Sequence, residues 1–430
     1  MRSLSTFLLC FCVSLALLAQ DSLQPPVYLK KIEFRGNQTT KEHIILREMS
    51  LKVGDQLTGE RLEYDQKRIY SLKLFNRVQL TPTAEGDSVN LLVDVSERWY
   101  LFPFPIIGFK YRDVKNLYYG AGIIHQNFRG RNERIGGSFG LGFDRWAQFY
   151  YQTPKLTFDD DIFFGFSAGI SRIQNQNISQ GLYTQNQQSV SITFGKRFGL
   201  NETVLLSAGF QGWRVSEPKE GRTLSSDGYD KFFLLIARYS YDTRDIKEYT
   251  SEGFYGGVSA SKYGFGESDV NIVRLDGEVK YFKPIIDNLV LGARFYEAWG
   301  TGSPSPPYLH VYFGYAERIR GHFKKVVEGE NSVGGNLELR YPIFSPRYYE
   351  IHSNVLPPEF QVLRYGLYAG LFIDGGKVWF RNQPWQSVPW YSGVGGGLHF
   401  LLPYSIIVRT EAALNNKGTT EYVLDFGASF

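Results

Sequence analysis

The amino-acid sequence predicts a transmembrane β-barrel, and its residue alternation, its aromatic content and its C-terminal residues all support this fold class. Between Arg134 and Asp144, apolar residues alternate with small or polar ones, and this period recurs in segments down to the last residue. Successive side chains of a strand point to opposite faces, so each segment has one apolar face and one small or polar face. The chain also contains 33 Phe, 29 Tyr and 7 Trp, a content typical of a barrel with lipid outside and water inside.

Residues 1–20 have the pattern of a secretory signal peptide. Arg2 supplies a positive start, residues 7–18 form an apolar run, and the end of the segment offers a cleavage point. The alternative is a signal-anchor helix, which needs about 20 apolar residues to cross a bilayer, and this run is shorter. Because Cys10 and Cys12 both lie in this segment, we expect the processed chain to have neither disulfides nor thiolate metal sites.

Residues 25–97 are predicted to form a small first domain with the order β-α-α-β-β. A strand over residues 27–34 ends at a Gly-Asn turn, two helices follow on either side of Gly54, and residues 89–95 complete a hairpin. This order in about 70 residues is typical of an α+β domain with one core.

Residues 100–430 carry the barrel pattern. Strands of about 10 residues, with their turns and outer loops, use about 20 residues each, which predicts about 16 antiparallel strands. Residues 310–332 interrupt this rhythm, and a long irregular loop in a barrel is often functional. Clear alternating segments run from Ile162 to Ile170, Val190 to Phe194, Val204 to Phe210, Phe233 to Tyr241 and Phe254 to Ala260.

One segment decides between a barrel and a soluble sandwich. Arg274, Asp276, Glu278 and Lys280 alternate with apolar residues, so four charges face one side of a single strand. The inner face of a sandwich would bury these charges, whereas the lumen of a barrel is filled with water and solvates them.

Five short segments of the chain have characteristic motif patterns. Residues 32–37 (IEFRGN) and 68–78 (RIYSLKLFNRV) lie at a strand end and a helix end of the predicted first domain. Residues 126–131 (QNFRGR), 241–245 (YDTRD) and 334–342 (GGNLELRYP) lie in turns and strands of the predicted barrel. Together they resemble the BamA-like outer-membrane assembly and translocation superfamily, also known as the bacterial surface-antigen family, in which the first pair of motifs belongs to a POTRA domain. The resemblance implies one POTRA-like domain followed by an outer-membrane β-barrel.

The resemblance also implies a loop folded back into the barrel lumen. Residues 319–322 (IRGH) match the family's V-R-G-F/Y motif, with histidine in place of the usual aromatic, and put Arg320 and Gly321 at the loop tip. In the family this arginine meets an acidic residue on an inward strand face, where this chain has Asp374, with Glu338 as a second inward candidate. A charge-assisted bond of this kind would hold the loop in place. The alternative is that these are ordinary solvated charges of the lumen.

The chain ends in an alternating segment with an aromatic last residue. A terminal aromatic resembles the insertion signal of outer-membrane barrels, and it is equally compatible with a residue of the aromatic girdle. Strand alternation predicts that five residues share one face, namely Tyr422, Leu424, Phe426, Ala428 and Phe430.

No motif points to an enzyme, a cofactor or a metal site. Residues 136–140 match the G-x-S-x-G nucleophile elbow, but that elbow needs a strand-to-helix turn and this segment lies within a strand. The six histidines are scattered without metal-ligand spacing. A net charge of +4 on 430 residues is too small to indicate a nucleic-acid partner.

The preferred hypothesis is a non-enzymatic outer-membrane factor that inserts or translocates unfolded outer-membrane or secreted client proteins. The N-terminal domain would lie in the periplasm and capture clients by strand addition, with the weak point of the barrel between residues 106–111 and 421–430. The involvement of accessory lipoproteins is left open. The alternatives are a secretion pore dedicated to one substrate and a passive porin or ligand channel, which would need no N-terminal module.

Overall fold

The computed structural model describes residues 27–110, 114–157, 161–175, 177, 179–266, 268–286 and 288–430. The predicted signal peptide, residues 1–20, lies outside this part of the chain. None of the helices in the described residues is long and apolar enough to cross a membrane.

The N-terminal domain packs two helices on a three-stranded sheet. Its core brings Ile44 and Ile45 of the first helix and Ile69 of the second against Leu91 and Val93 of the sheet, all of them buried. The central strand is parallel to the first strand and antiparallel to the second, and the predicted order β-α-α-β-β is confirmed. The elements are β1 (Tyr28–Arg35), α1 (Glu42–Leu46), α2 (Gly59–Tyr70), β2 (Phe75–Glu85) and β3 (Ser88–Glu97).

A single antiparallel sheet of 16 strands forms the rest of the fold and confirms the predicted barrel architecture. Its first strands are β4 (Leu101–Phe109), β5 (Leu117–Phe128), β6 (Glu133–Gly142), β7 (Arg145–Thr153), β8 (Ile162–Gln174), β9 (Thr184–Phe198), β10 (Glu202–Val215), β11 (Tyr229–Asp242), β12 (Gly253–Tyr263), β13 (Ile272–Ile286) and β14 (Leu289–Gly302). An insertion with two short strands follows, β15 (Val311–Phe313) and β16 (Val327–Gly329). The sheet then continues with β17 (Asn331–Glu350), β18 (Val362–Trp379), β19 (Tyr391–Leu402), β20 (Ile406–Asn415) and β21 (Thr420–Phe426).

Alternation along the strands separates a lipid face from a lumen face, as the sequence predicts. In β18, Leu371 and Ile373 are 65% and 52% exposed, whereas Phe372 and Asp374 between and beside them are 4% and 2% exposed. The charges of β13 face the lumen, where Arg274, Asp276 and Glu278 line a polar cavity of about 570 Å³. The wall therefore has an apolar outer surface and a charged interior.

Candidate functional site in the barrel lumen

The insertion between β14 and β17, residues 303–330, forms a loop that is folded into the lumen. Its short strands β15 and β16 pair with each other as a hairpin. Phe313 and Ile319 of this loop are buried against Tyr296, Val378 and Tyr391 of the wall. The irregular stretch in the sequence is thus an ordered segment with its own apolar contacts, which fix the loop tip against β18 and β19.

Arg320 lies at the tip of this loop and makes a bidentate bond with Asp374 of β18. Its Nε donates to Oδ2 and its Nη2 donates to Oδ1, each over 2.7 Å, and its backbone N–H also donates to Oδ2 over 3.2 Å. Arg320 is only 6% exposed. Two parallel N–H···O bonds fix both the direction and the distance of a guanidinium, so the arrangement is specific as well as strong.

Two further carboxylates complete the surroundings of Arg320. Its Nη1 donates to Glu338 over 2.6 Å and to Glu411 over 3.1 Å. Its guanidinium also lies 3.6 Å from the centre of the Phe372 ring. The sequence singled out Asp374 and Glu338, and the structure brings both to Arg320.

Glu411 was missed by the sequence reasoning, although the pattern contains a signal for it. In β20, Ile407, Arg409, Glu411 and Ala413 are buried while the residues between them are more exposed. Strand alternation alone would therefore have placed Glu411 on the same inward face as Arg409.

Gly321 and His322 complete the loop tip. Gly321 has a φ of +92°, a conformation that favours glycine, and its carbonyl accepts a bond of 2.7 Å from Asn415. His322 packs edge-on against Tyr391 and its Nε2 lies 2.9 Å from Oδ1 of Asn416. The histidine that replaces the usual aromatic thus keeps a ring contact and adds a polar one.

A second buried arginine extends the charged cluster towards the end of the chain. Arg340 donates to Glu338 over 2.5 Å, and its guanidinium lies 4.6 Å from the centre of the Tyr249 ring. Ser429 donates to the same Glu338 over 2.6 Å. Glu338 therefore joins the loop tip, the barrel wall and the C-terminal tail.

The prediction that Phe430 shares one face with Tyr422, Leu424 and Phe426 is wrong. β21 ends at Phe426, and Gly427 follows with a φ of +94°, which turns the last three residues away from the strand. Phe430 then stacks on the lumenal Phe282 at 5.7 Å and lies beside the Arg340 guanidinium. The turn at Gly427 interrupts the two-residue period on which the prediction relied.

Three residues of the cluster, Glu338, His399 and Glu411, have ligand atoms close enough to hold a metal ion. The same carboxylates accept hydrogen bonds from three arginines, Arg320, Arg340 and Arg409. Three neighbouring positive charges make a metal cation unfavourable at this place. The cluster is better described as a balanced network of ion pairs.

Comparison with known proteins identifies the family. Residues 27–98 match the POTRA family, described as a surface antigen variable number repeat, and residues 127–429 match the Omp85 superfamily domain. The chain belongs to the Omp85 superfamily. Members of this BamA-like family reside in the outer membrane, which is where we place this protein.

Among individual relatives, the outer membrane protein assembly factor BamA of Nitratidesulfovibrio vulgaris is 23% identical over 333 residues. The match covers 72% of this chain but only 39% of that BamA. Two solved structures share the fold. BamA from Haemophilus ducreyi lacking POTRA domains 1–3 has a TM-score of 0.56 and 18% sequence identity, and the match covers 94% of this chain and 84% of that chain. CdiB from Escherichia coli has a TM-score of 0.57 and 12% sequence identity, and the match covers 94% of this chain and 75% of that chain.

The Omp85 barrel of this protein has two open sheet edges, because no backbone pairing joins β4 to β21 within the described residues. Tyr100 accepts a backbone bond from Gln126, so the even-numbered residues of β4 pair with β5 and the odd-numbered ones face the open edge. Pro103 and Pro105 are odd-numbered and have no N–H, and the Trp99 indole donates to the Leu101 carbonyl. The part of the β4 edge from Leu101 to Pro105 is therefore a poor partner for another strand.

The β21 edge has the opposite character. Gly427 donates to the Ile407 carbonyl, so the odd-numbered residues of β21 pair with β20 and the even-numbered ones face the open edge. The N–H of Phe426 donates to the side chain of Asp425. The backbone donors of Thr420, Tyr422 and Leu424 remain directed at the gap between the two edges, which we call the seam.

The POTRA domain is docked on one rim of the barrel through buried charges. Glu48 accepts a bond of 2.8 Å from Arg68 of α2 and another from Arg197 of β9. The Thr40 hydroxyl oxygen also accepts a hydrogen bond of 2.9 Å from the side-chain amide of Asn127 in β5. Burial alone would raise the pKa of Glu48, but the adjacent arginines Arg197 and Arg68 outweigh it and hold that pKa below its ordinary value.

Proposed function

We propose that this protein inserts or translocates client polypeptides at the outer membrane and performs no chemical reaction itself. The observation that carries the proposal is the ordered loop at the lumen, whose Arg320 is shared among Asp374, Glu338 and Glu411. The Omp85 relationship and the likeness to BamA and CdiB structures support the same class of function. The chain spans 39% of the length of its BamA relative. The activity and the clients named here are therefore proposed for this chain and are not taken from that relative.

The loop that is folded into the lumen argues against the passive porin or ligand channel. A diffusion channel needs an open aqueous path, whereas here a loop with its own apolar core packs against the wall of β18 and β19. The docked POTRA domain adds a protein-binding module that diffusion does not need.

We propose that the POTRA domain lies in the periplasm and that its sheet edge captures extended clients. β2 is the outer strand on one side of its sheet, so its free backbone groups are available for strand addition. The partners would be the lipid bilayer and unfolded outer-membrane or secreted proteins, with accessory lipoproteins as possible additions and no nucleic acid.

We propose that the bond between Arg320 and Asp374 serves function more than folding. The 16 strands are held by their own ladders of backbone bonds, whereas the position of the loop tip depends on Arg320. Removing one partner of a buried ion pair costs about 3–5 kcal/mol, which is enough to release a loop tip without unfolding a barrel of this size.

The test is depletion of the protein, complemented with the wild type, with Arg320→Ala or with a control. Arg274→Ala is a matched control, because Arg274 is also lumenal but bonds only to Asp276 of its own strand among the described side chains. We expect Arg320→Ala to stay heat-modifiable on gels, as a folded barrel is, but to fail in complementation, whereas Arg274→Ala complements.

Profiling of outer-membrane proteins in the depleted cells distinguishes the two forms of the proposal. Broad loss of barrel proteins indicates assembly, and loss of one exported protein indicates dedicated secretion. If neither changes, or if Arg320→Ala complements fully, the proposal is wrong.

A further inference from the structure

An apolar groove of about 450 Å³ opens on the lipid-facing wall across β9, β10 and β11. Its floor includes the small side chain of Ala208, and larger outward side chains such as Ile192, Phe233 and Leu235 rise around it. Phe265, from the segment between β12 and β13, also lines the groove and is 49% exposed. The groove is therefore a concave, almost wholly apolar site on a surface that faces acyl chains.

Three cations lie on the same outward face as the groove, one beside it and two beyond its Phe233 end. The strand register pairs Lys262 with Leu235 of the groove wall, and it places Lys231 two residues beyond Phe233, which is about 7 Å along the strand. Arg214 is paired with Tyr229, a further two residues along. Lys262 thus flanks the groove, and Lys231 and Arg214 continue from its Phe233 end.

This end of the groove is the one that points away from the POTRA domain. β11 runs from Tyr229 to Asp242, and the turn after Asp242 contacts the POTRA domain directly after α2, where Ser71 donates to the Asp245 carbonyl. Lys231 and Arg214 therefore lie towards the rim of the barrel that is opposite the POTRA domain.

The three cations are available to a ligand because the side chains around them offer aromatic rings and neutral oxygens. Arg214 and Lys231 lie 4.4 Å and 5.7 Å from the centre of the Tyr229 ring, and Lys262 lies 5.5 Å from that of Phe265. Lys262 donates to the Asn271 amide oxygen. Within the described residues none of the three forms a salt bridge, although Asp227 is near enough to offset part of the Arg214 charge.

We propose that this groove and its three cations form a binding site for an anionic membrane lipid with a phosphate-bearing headgroup. One acyl chain would occupy the apolar groove, and the phosphate would lie among Arg214, Lys231 and Lys262. Apolar surface and positive charge at adjacent positions match the two ends of such a lipid, and a zwitterionic or neutral headgroup would lack the charge complementarity. This inference is independent of the proposed handling of clients.

The test is native mass spectrometry of the detergent-purified full chain, with phosphatidylglycerol and phosphatidylcholine of the same acyl chains as probes. We expect retention of phosphatidylglycerol to exceed that of phosphatidylcholine by about tenfold or more. The variant Arg214→Gln, Lys231→Gln, Lys262→Gln should lose this preference. Lys196→Gln is the matched control, because Lys196 is an outward-facing, exposed cation of β9 near the POTRA rim.

A second variant tests the acyl-chain part of the site. Ala208→Trp fills the groove and should lower retention of both lipids, whereas Ala147→Trp, at an exposed outward alanine of β7, should not. Heat modifiability on gels checks that each variant is folded. Inorganic phosphate should fail to displace the retained lipid if the acyl chain contributes to binding.

Several outcomes would overturn the proposal. The wild type could retain the two lipids equally, or the triple variant could keep the wild-type preference for phosphatidylglycerol. Lys196→Gln could lose as much of this preference as the triple variant does, or Ala208→Trp could retain both lipids as well as the wild type. Displacement by inorganic phosphate alone would show a simple anion site rather than a lipid site.

Discussion

Arg320 shows how far a single residue can be predicted. Its partnership with Asp374, with Glu338 as a second candidate, followed from the resemblance of residues 319–322 to the family's loop motif. The contributions of Tyr249 and Ser429 to the same cluster did not follow, because both residues are about 90 positions away from Arg340 and Glu338 in the chain and only the curvature of the sheet brings them together. Arg340 was missed although it lies two residues from Glu338 in β17, on the same inward face. Its proposed role in function stays a prediction.

Gly393 offers a test of the loop position at the residue scale. A Cβ at this position would lie 1.9 Å from the carbonyl oxygen of Arg320, a distance that no packed atoms tolerate. We expect Gly393→Ala to displace the loop tip while the strands stay paired. Hydrogen–deuterium exchange should then be faster in residues 316–326, and the barrel should stay heat-modifiable.

The control for this variant is Gly169→Ala. A Cβ at Gly169 of β8 meets its nearest atom at 3.5 Å, which is ordinary van der Waals contact. Equal protection of residues 316–326 in both variants would show that the loop tip does not rest on Gly393.

At the scale of elements, the regular strands were predictable and their ends were not. The alternating segments from Ile162 to Ala260 all lie within β8 to β12. Alternation describes the interior of a strand, where each residue repeats the same geometry. It failed at the last three residues, because the positive φ of Gly427 ends the repeat.

The prolines of β4 lead to a prediction about the seam. Replacing Pro103 and Pro105 by valine restores two backbone N–H groups at the open edge, so the edges of β4 and β21 should pair more often. We expect slower hydrogen exchange at the N–H groups of Tyr422 and Leu424, and a higher unfolding temperature of the barrel.

Pro284→Val is the matched control for the seam. Pro284 lies in β13, opposite Val290 of β14 and far from both open edges. If Pro284→Val slows exchange in β21 as much as the double variant does, the prolines of β4 do not govern the seam.

At the scale of the whole molecule, the order of domains and the approximate number of strands followed from the sequence, but the docking of the POTRA domain on the barrel did not. That contact is made of single charged and polar side chains such as Glu48, Arg197 and Asn127, which have no periodic pattern. Nothing in a local stretch of sequence marks such residues as partners.

The docking should depend on pH through Glu48. Because the arginines hold the pKa of Glu48 below its ordinary value of 4.5, ionised Glu48 stabilises the docked state above that pH, and the stabilisation is lost as the pH falls through the lowered value. Protection of the POTRA domain against proteolysis should therefore be constant from pH 8 to pH 5 and should decrease at more acidic pH.

Glu48→Gln should weaken the docking at neutral pH and remove the acidic transition. Glu63→Gln is a suitable control, because Glu63 is an exposed residue of the same domain that forms an ion pair with Lys67 of its own helix. If Glu48→Gln shows a loss of protection at acidic pH as large as that of the wild type, carboxylates other than Glu48 cause the transition.

The position of the last residue has a practical consequence for anyone who handles this protein. Phe430 is folded into the barrel beside Arg340, and its neighbour Ser429 donates to Glu338. An affinity tag or reporter fused after Phe430 would have to thread through the interior or pull the tail out of it, and in either case it would compete for the carboxylate that also binds Arg320. A fusion placed in an exposed loop avoids this interference. Because a tag after Phe430 disturbs the cluster itself, loss of activity in a protein tagged there would not show that the untagged protein is inactive.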